Sequence, residues 1–129
     1  MIVVDTSALM AILLGEPEAD ACIAVLESET DVLISAAVLA EALIVAGRRN
    51  VADEMAMLID DLGLNVSTVT PAAARRVAKA YEKWGKGAHS ADLNFGDCFS
   101  YELAKEHRCG LLYVGDDFAK TDAEGVLGK

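Results

Sequence analysis

No apolar run in this 129-residue chain is long enough to cross a bilayer, although 53% of its residues are hydrophobic. The opening MIVVDTSAL lacks the basic flank of a signal peptide and carries an acid almost at once. Both absences point to a soluble, cytoplasmic protein with no membrane partner, whose surplus apolar surface is expected to cover a subunit interface. Cysteine is scarce and unpaired. Cys22, Cys98 and Cys109 make an odd count with no CxxC spacing, which argues against a disulfide framework or a zinc site and for small buried thiols. Positive charge is also short, with 11 Lys and Arg against 21 Asp and Glu. A net charge of −10 argues against a broad nonspecific nucleic-acid surface. Repeats, linkers and low-complexity tracts are missing too. The expectation is one domain, residues 1–129, of a length that suits a real core.

What is present alternates. Short apolar runs at Ile2 to Val4, Val32 to Ile34, Val66 to Val69 and Leu111 to Val114 read as strands. Helical patterns lie between them. One runs from Ser7 to Leu14 and ends at Gly15, and another opens at Pro17 and Glu18 and runs to about Glu29. Ser35 caps a helix reaching Ala46 before Gly47, and a further helix spans about Val51 to Leu62 before Gly63. Thr70 caps, and Pro71 starts, a helix to about Trp84. GKGAHSADL is a loop, and Phe95 to Glu106 is helical. Continuous apolar strands separated by helices imply an α/β fold, a central mainly parallel sheet covered on both faces. In such sheets ligands bind at the carboxyl edge of the strands. The residues just after each strand therefore matter most.

Acids recur at that edge. Asp5 closes the first strand, where it can serve as a helix N-cap, a task that Thr6 or Ser7 could equally fill. Glu41 is flanked one helical turn away by Ala37, Val38, Ile44 and Val45, all apolar. A charge on such a face must be desolvated, which is costly unless it is paired, and Arg48 lies well round the helix. Asp97 stands three residues after Asn94, the spacing of a capping box with Asp in place of Glu or Gln. Asn94, Asp97 and Ser100 form a polar stripe among Phe95, Cys98, Phe99 and Leu103. Asp116 and Asp117 follow the last strand, in a context that also suits a turn. Each acid has a bland explanation alone. Together they would repel one another and raise each other's pKa values, and a divalent cation is the economical remedy. All-oxygen ligands favour Mg²⁺ or Mn²⁺, and Mg²⁺ is often completed by substrate phosphate oxygens.

Five of the basic residues, Arg75, Arg76, Lys79, Lys83 and Lys86, crowd into one segment. Arg76, Lys79 and Lys83 share a helical face that, with Lys86, could hold backbone phosphates; an ordinary solvated face explains them as well. Nearby, His89 and Trp84 are expected to be structural and packing residues.

The stretches MIVVDTSALMAIL, SAAVLAEALIV, KGAHSADLNFGDCFSYELAK and LLYVGDDFAKTD resemble PIN-domain ribonucleases, specifically the VapC toxins of toxin–antitoxin pairs. They span nearly the whole chain in order and spacing. The resemblance implies an α/β/α three-layer sandwich over residues 1–129 and a Mg²⁺- or Mn²⁺-dependent endoribonuclease. It places the family's first three acids at Asp5, Glu41 and Asp97, with Asp117, or else Asp116, as the fourth. Asp5 and Asp97 would be the main metal ligands, and Thr6, Ser7 and Asn94 match the polar positions that support them. It also implies a homodimer, an RNA substrate and a cognate VapB-like antitoxin. Two rivals stand beside it: a phosphotransfer domain using Asp5, which lacks the companion residues such domains need, and a non-enzymatic module that only binds its antitoxin.

Overall fold

Four strands pair in the order β3-β2-β1-β4, all parallel: β1 (Ile2–Val4), β2 (Val32–Ser35), β3 (Asn65–Ser67) and β4 (Gly110–Leu112). The computed structural model describes residues 1–127. Among the described residues, six helices connect the strands: α1 (Thr6–Leu13), α2 (Ala19–Ser28), α3 (Ala36–Arg48), α4 (Ala52–Leu62), α5 (Pro71–Trp84) and α6 (Phe95–His107). Alternation along each strand sorts its side chains between two cores. Ile2, Val4, Val32, Ile34 and Leu112 pack with residues of α1 to α4, including Leu9, Leu26, Val38 and Met55. Val3, Leu33 and Leu111 face the other way, against Val77 and Ala80 of α5 and Cys98, Tyr101, Leu103 and Ala104 of α6. Three layers result, with the sheet in the middle. Burial on both faces is why the central strands read as unbroken apolar runs. Among the described residues, no helix is long and apolar enough to cross a membrane. Cys22 and Cys98 are buried free thiols, and Cys109 is a half-buried one.

Strand lengths are set by partners rather than by composition. The expected strand Val66 to Val69 is instead Asn65–Ser67, because its partner β2 ends at Ser35, opposite Ser67, where α3 begins. Among the described residues, Thr68 and Val69 have no strand partner. Likewise the last strand runs Gly110–Leu112 and not Leu111 to Val114, since Leu112 is matched to Val4, the final residue of β1. Tyr113 and Val114 have left the sheet, and the Val114 amide donates to Ser7 Oγ at 3.0 Å.

Helix ends track local chemistry more closely. Asp5, Ser35, Thr70 and Asn94 each cap the next helix with a side-chain oxygen. Gly63 closes α4 at φ 58°, a left-handed conformation that suits glycine. Gly47 does not end α3. The helix continues to Arg48, and Asn50 takes the left-handed turn at φ 59°. Helix α2 starts at Ala19, with Pro17 and Glu18 in a preceding turn.

Strand order opens a crevice at one place on the sheet. From β1 the chain moves to β2 and β3 on one side, then returns to β4 on the other. The carboxyl ends of β1 and β4 therefore flank a topological switch point, where open α/β sheets leave room for a ligand. Asp5 leaves β1 there, and its amide donates to the carbonyl of Leu112 at 3.0 Å.

Candidate active site

Asp5 is almost completely buried, at 4% exposure, yet it has no basic partner among the described residues. Hydroxyls and an amide hold it instead. Its Oδ2 accepts from the Ser7 amide at 3.1 Å and from Ser7 Oγ at 2.7 Å. Its Oδ1 accepts from Ser100 Oγ at 2.6 Å. Ser100 is fully buried on α6, 95 residues away in sequence. The carboxylate is thus locked at both oxygens, from the start of α1 and from the interior of α6. The Ser7 hydroxyl that donates to Asp5 also receives the Val114 amide, so one serine joins the ends of β1 and β4.

Glu41 reaches the same region from α3. It is half-buried, and its Oε1 accepts from Thr6 Oγ1 at 2.8 Å. Arg48 is not its partner. Burial pushes the Glu41 carboxyl above its usual range, the Thr6 hydrogen bond pulls it down, and the Asp5 charge pushes it up. The flanking residues expected to be apolar neighbours divide in the structure: Val38 is buried, while Ile44 is 59% exposed.

Asp97 sits at the third position of α6. Its amide donates to Asn94 Oδ1 at 2.8 Å, and its Oδ2 accepts from the Asn94 amide at 3.1 Å, which completes a reciprocal capping box. This fixes the side chain at the helix amino terminus, where the dipole favours negative charge. Even so, its carboxyl is pushed up to about 7. Burial is the chief cause; the Asn94 amide opposes it, and the charges of Asp5, Asp117 and Glu41 add to it. Four acids from four segments therefore act on one another at the sheet's carboxyl edge.

The two acids after β4 separate here. Asp117 is the one whose charge reaches Asp97. Asp116 instead lines a cavity of about 620 Å³ with Pro17, Glu18, Tyr113 and Ala119.

A hard divalent ion suits this donor set, which is all oxygen and carries four carboxyl groups. Among the described residues, no three His, Cys, Asp or Glu side chains are arranged to enclose an ion by themselves. Hydroxyls and amides occupy several of the carboxylate oxygens, as the bonds to Asp5, Glu41 and Asp97 show. An ion such as Mg²⁺ keeps waters and takes only one or two protein carboxylates, so it does not require a full protein cage.

The basic segment is less free than its sequence suggests. Arg76 Nε donates to Glu102 Oε2 at 2.8 Å, and its Nη2 lies 3.3 Å from Glu106. Glu102 is 7% exposed, so Arg76 neutralises an acid inside the α5–α6 seam. Arg76 therefore departs from the expected phosphate-binding face, for the physical reason that a buried carboxylate demands a partner. Replacing Arg76 with alanine is expected to lower stability, because it leaves a buried acceptor unmet. Urea unfolding would read this as a lower midpoint at unchanged slope, and an unmoved midpoint would contradict the pairing.

Lys79 and Lys83 line a groove of about 300 Å³ between α5 and α6, with Trp84, Tyr101 and Lys105. Lys83 Nζ lies 4.9 Å from the Trp84 ring centroid. Lys86 is exposed on the loop after α5. Trp84 is anchored: its Nε1 donates to Tyr101 Oη at 3.0 Å, and Tyr101 in turn donates to Asp122 at 2.5 Å. His89 Nδ1 accepts from the Ala91 amide at 2.9 Å, which stabilises the loop turn.

Two residues have places at the site that the sequence did not assign them. Ser100 had a signal, a hydroxyl one turn after Asp97 in an apolar stretch, but nothing local tied it to Asp5. Gly96 had a weaker one, a glycine inside the first turn of a helix. In space it faces the Glu41 carboxylate.

Comparison with known proteins identifies the family. The PIN domain family profile matches residues 2–124. A VapC ribonuclease of Mycobacterium bovis, Mb2004c, is 42% identical over 98% of this chain and 95% of its own length. Ribonuclease VapC30 of Mycobacterium tuberculosis is 39% identical over 96% and 97%. Among solved structures, Mycobacterium tuberculosis VapC20, a sarcin–ricin loop cleaving toxin, superposes with a TM-score of 0.73 at 21% identity, covering 92% of this chain and 93% of its own. A toxin–antitoxin complex from Klebsiella pneumoniae gives a TM-score of 0.72 at 20% identity, covering 98% and 96%. With its parallel four-stranded sheet and acids gathered at one edge, the chain belongs to the PIN domain family, in its VapC branch.

Proposed function

We propose that the chain is a metal-dependent endoribonuclease, the toxin of a VapBC-type pair, and that it hydrolyses RNA phosphodiester bonds at Asp5, Glu41, Asp97 and Asp117. The observation that carries this reading is Asp97: held in a capping box, it is still pushed up to about 7 by burial and three neighbouring acids. Such an excess of charge is a poor device for stability and a good one for holding a cation. Asp5 and Asp97 would be the protein ligands, with Glu41 and Asp117 completing the pocket. Bound there, Mg²⁺ or Mn²⁺ would lower the pKa of a coordinated water and neutralise charge on the attacked phosphate.

The protein's own groups divide the remaining work. Ser7 and Ser100 hold Asp5 in one orientation, and Asn94 does the same for Asp97. Glu41, whose carboxyl is raised and which receives the Thr6 hydroxyl, would orient the attacking water and take its proton. Asp116, turned toward the other cavity, takes no part. Cleavage of structured RNA by the purified protein tests the reading. It should require Mg²⁺ or Mn²⁺, stop in EDTA and be lost in Asp97→Asn; cleavage indifferent to EDTA would overturn it.

RNA backbone contacts fall to Lys79, Lys83 and Lys86, with Arg76 committed to Glu102. Changing the three lysines to alanine together should reduce the slope of log affinity against log salt by roughly 2–3, near one for each phosphate no longer neutralised. An unchanged slope would reject this face.

An antitoxin partner is supported by the structural neighbours that are toxin–antitoxin complexes, from Klebsiella pneumoniae and, as VapBC2, from Rickettsia felis. Exposed Leu43, Ile44 and Phe95, on the two helices that carry Glu41 and Asp97, offer apolar surface for a homodimer or for that partner.

A further inference from the structure

Gly96 is the second residue of α6, directly before Asp97. Its backbone does not require glycine, since its φ lies outside the left-handed region that the chain uses at Gly15, Gly63, Gly87 and Gly115. Alanine would make the stronger helix. Space explains the choice instead. A β-carbon on Gly96 would overlap Glu41 Oε2, and would stand 3.0 Å from Glu41 Cδ and 3.2 Å from Oε1. The bare backbone lets the Glu41 carboxylate, arriving from α3, come close to the first turn of α6, the positive end of the helix dipole. On its other side the same carboxylate is held by Thr6.

We propose that Gly96 is a positioning residue for Glu41: its missing side chain admits the carboxylate to the amino terminus of α6 and so sets Glu41 against Asp97. The proposal rests on the assignment of RNA cleavage to this site. The obstructed atoms are the far end of a flexible side chain. A methyl group at position 96 would therefore displace Glu41 and break its bond to Thr6 while the backbone stays in place. Structure and activity should part company in Gly96→Ala.

The test is a double-mutant cycle of wild type, Gly96→Ala, Glu41→Ala and the combination. Each is assayed for RNA cleavage with Mg²⁺ and for thermal unfolding in EDTA. Gly96→Ala should lower kcat by about 10–100-fold, the range for residues that orient a functional group, with KM little changed. Adding it to Glu41→Ala should cause no further loss. In unfolding, the Gly96→Ala shift in Tm should be more positive in the Glu41→Ala background, where nothing obstructs the methyl group. Wild-type kcat in Gly96→Ala, or losses that multiply in the combination, would overturn the proposal. So would an equal Tm shift in both backgrounds. A wild type inactive on RNA would overturn the nuclease reading alone, because the unfolding cycle still reports on the contact between Gly96 and Glu41.

Discussion

Asp97→Asn is expected to abolish RNA cleavage and, in EDTA at pH 8, to make the protein more stable. The two effects share one cause. Asparagine keeps the shape of the side chain and can still accept the Asn94 amide, but it carries no charge. The loss of activity should exceed about 100-fold, above the range typical of residues that act through a ligand. For stability the sign follows from linkage. The folded-state value of about 7 lies above the ordinary 3.8, so the folded protein holds this proton more tightly than the unfolded chain. That contribution is complete below about pH 4 and is lost as pH rises through 7. The gap is worth at most about 4 kcal/mol, of which relaxation around the site should leave about 1–3. Urea unfolding of both proteins from pH 5 to pH 8 reads Asp97 together with its coupling to Asp5, Glu41 and Asp117. The mutant's advantage should already be present at pH 5, grow with pH and level off above about pH 7. A mutant less stable than wild type at pH 8 would show that the capping box outweighs the repulsion.

Divalent cation should produce the second large effect, measured without RNA. Mg²⁺ or Mn²⁺ at about 100 times its dissociation constant should add about 2.7 kcal/mol to the unfolding free energy. At one fixed cation concentration the gain should be greater at pH 8 than at pH 5.5, because ligands must lose their protons before they bind a metal, and both Asp97 and Glu41 hold theirs unusually high. Asp5→Asn should erase most of it. An equal gain in wild type and in Asp5→Asn would place the cation elsewhere on this acidic surface. Nuclease activity and stability are thus linked through one quantity, the repulsion among acids that a cation would relieve.

The places of these acids in the fold were legible in part from the chain alone. Asp5, Glu41 and Asp97 each lie just after, or within the first turns of, an element whose type is encoded locally. Strands announce themselves by apolar runs, and helix starts by Asp5, Ser35, Thr70 and Asn94, whose oxygens meet amides only two or three residues away. A parallel sheet then sends every strand's carboxyl end to one edge. Nothing beyond neighbours in sequence is needed to reach that point.

Other features answer to partners far along the chain. Strand β3 stops at Ser67 because β2 stops at Ser35, not because Thr68 and Val69 disfavour extension. Arg76 looked like one member of a basic stripe, and became half of a buried pair because Glu102 lies across the helix seam, 26 residues away. Asp116 and Asp117 are adjacent and chemically identical, and only the path of the turn sends one toward Asp97 and the other toward Pro17.

By itself, then, the sequence determined the order of elements, their caps, the layered α/β plan and the edge on which the acids collect. These depend on periodicity and short-range hydrogen bonding. Tertiary structure decided which hydroxyl locks Asp5, which cation is already spent and why residue 96 has no side chain. Those outcomes depend on atoms brought within about 3 Å by packing, from positions that share no local pattern.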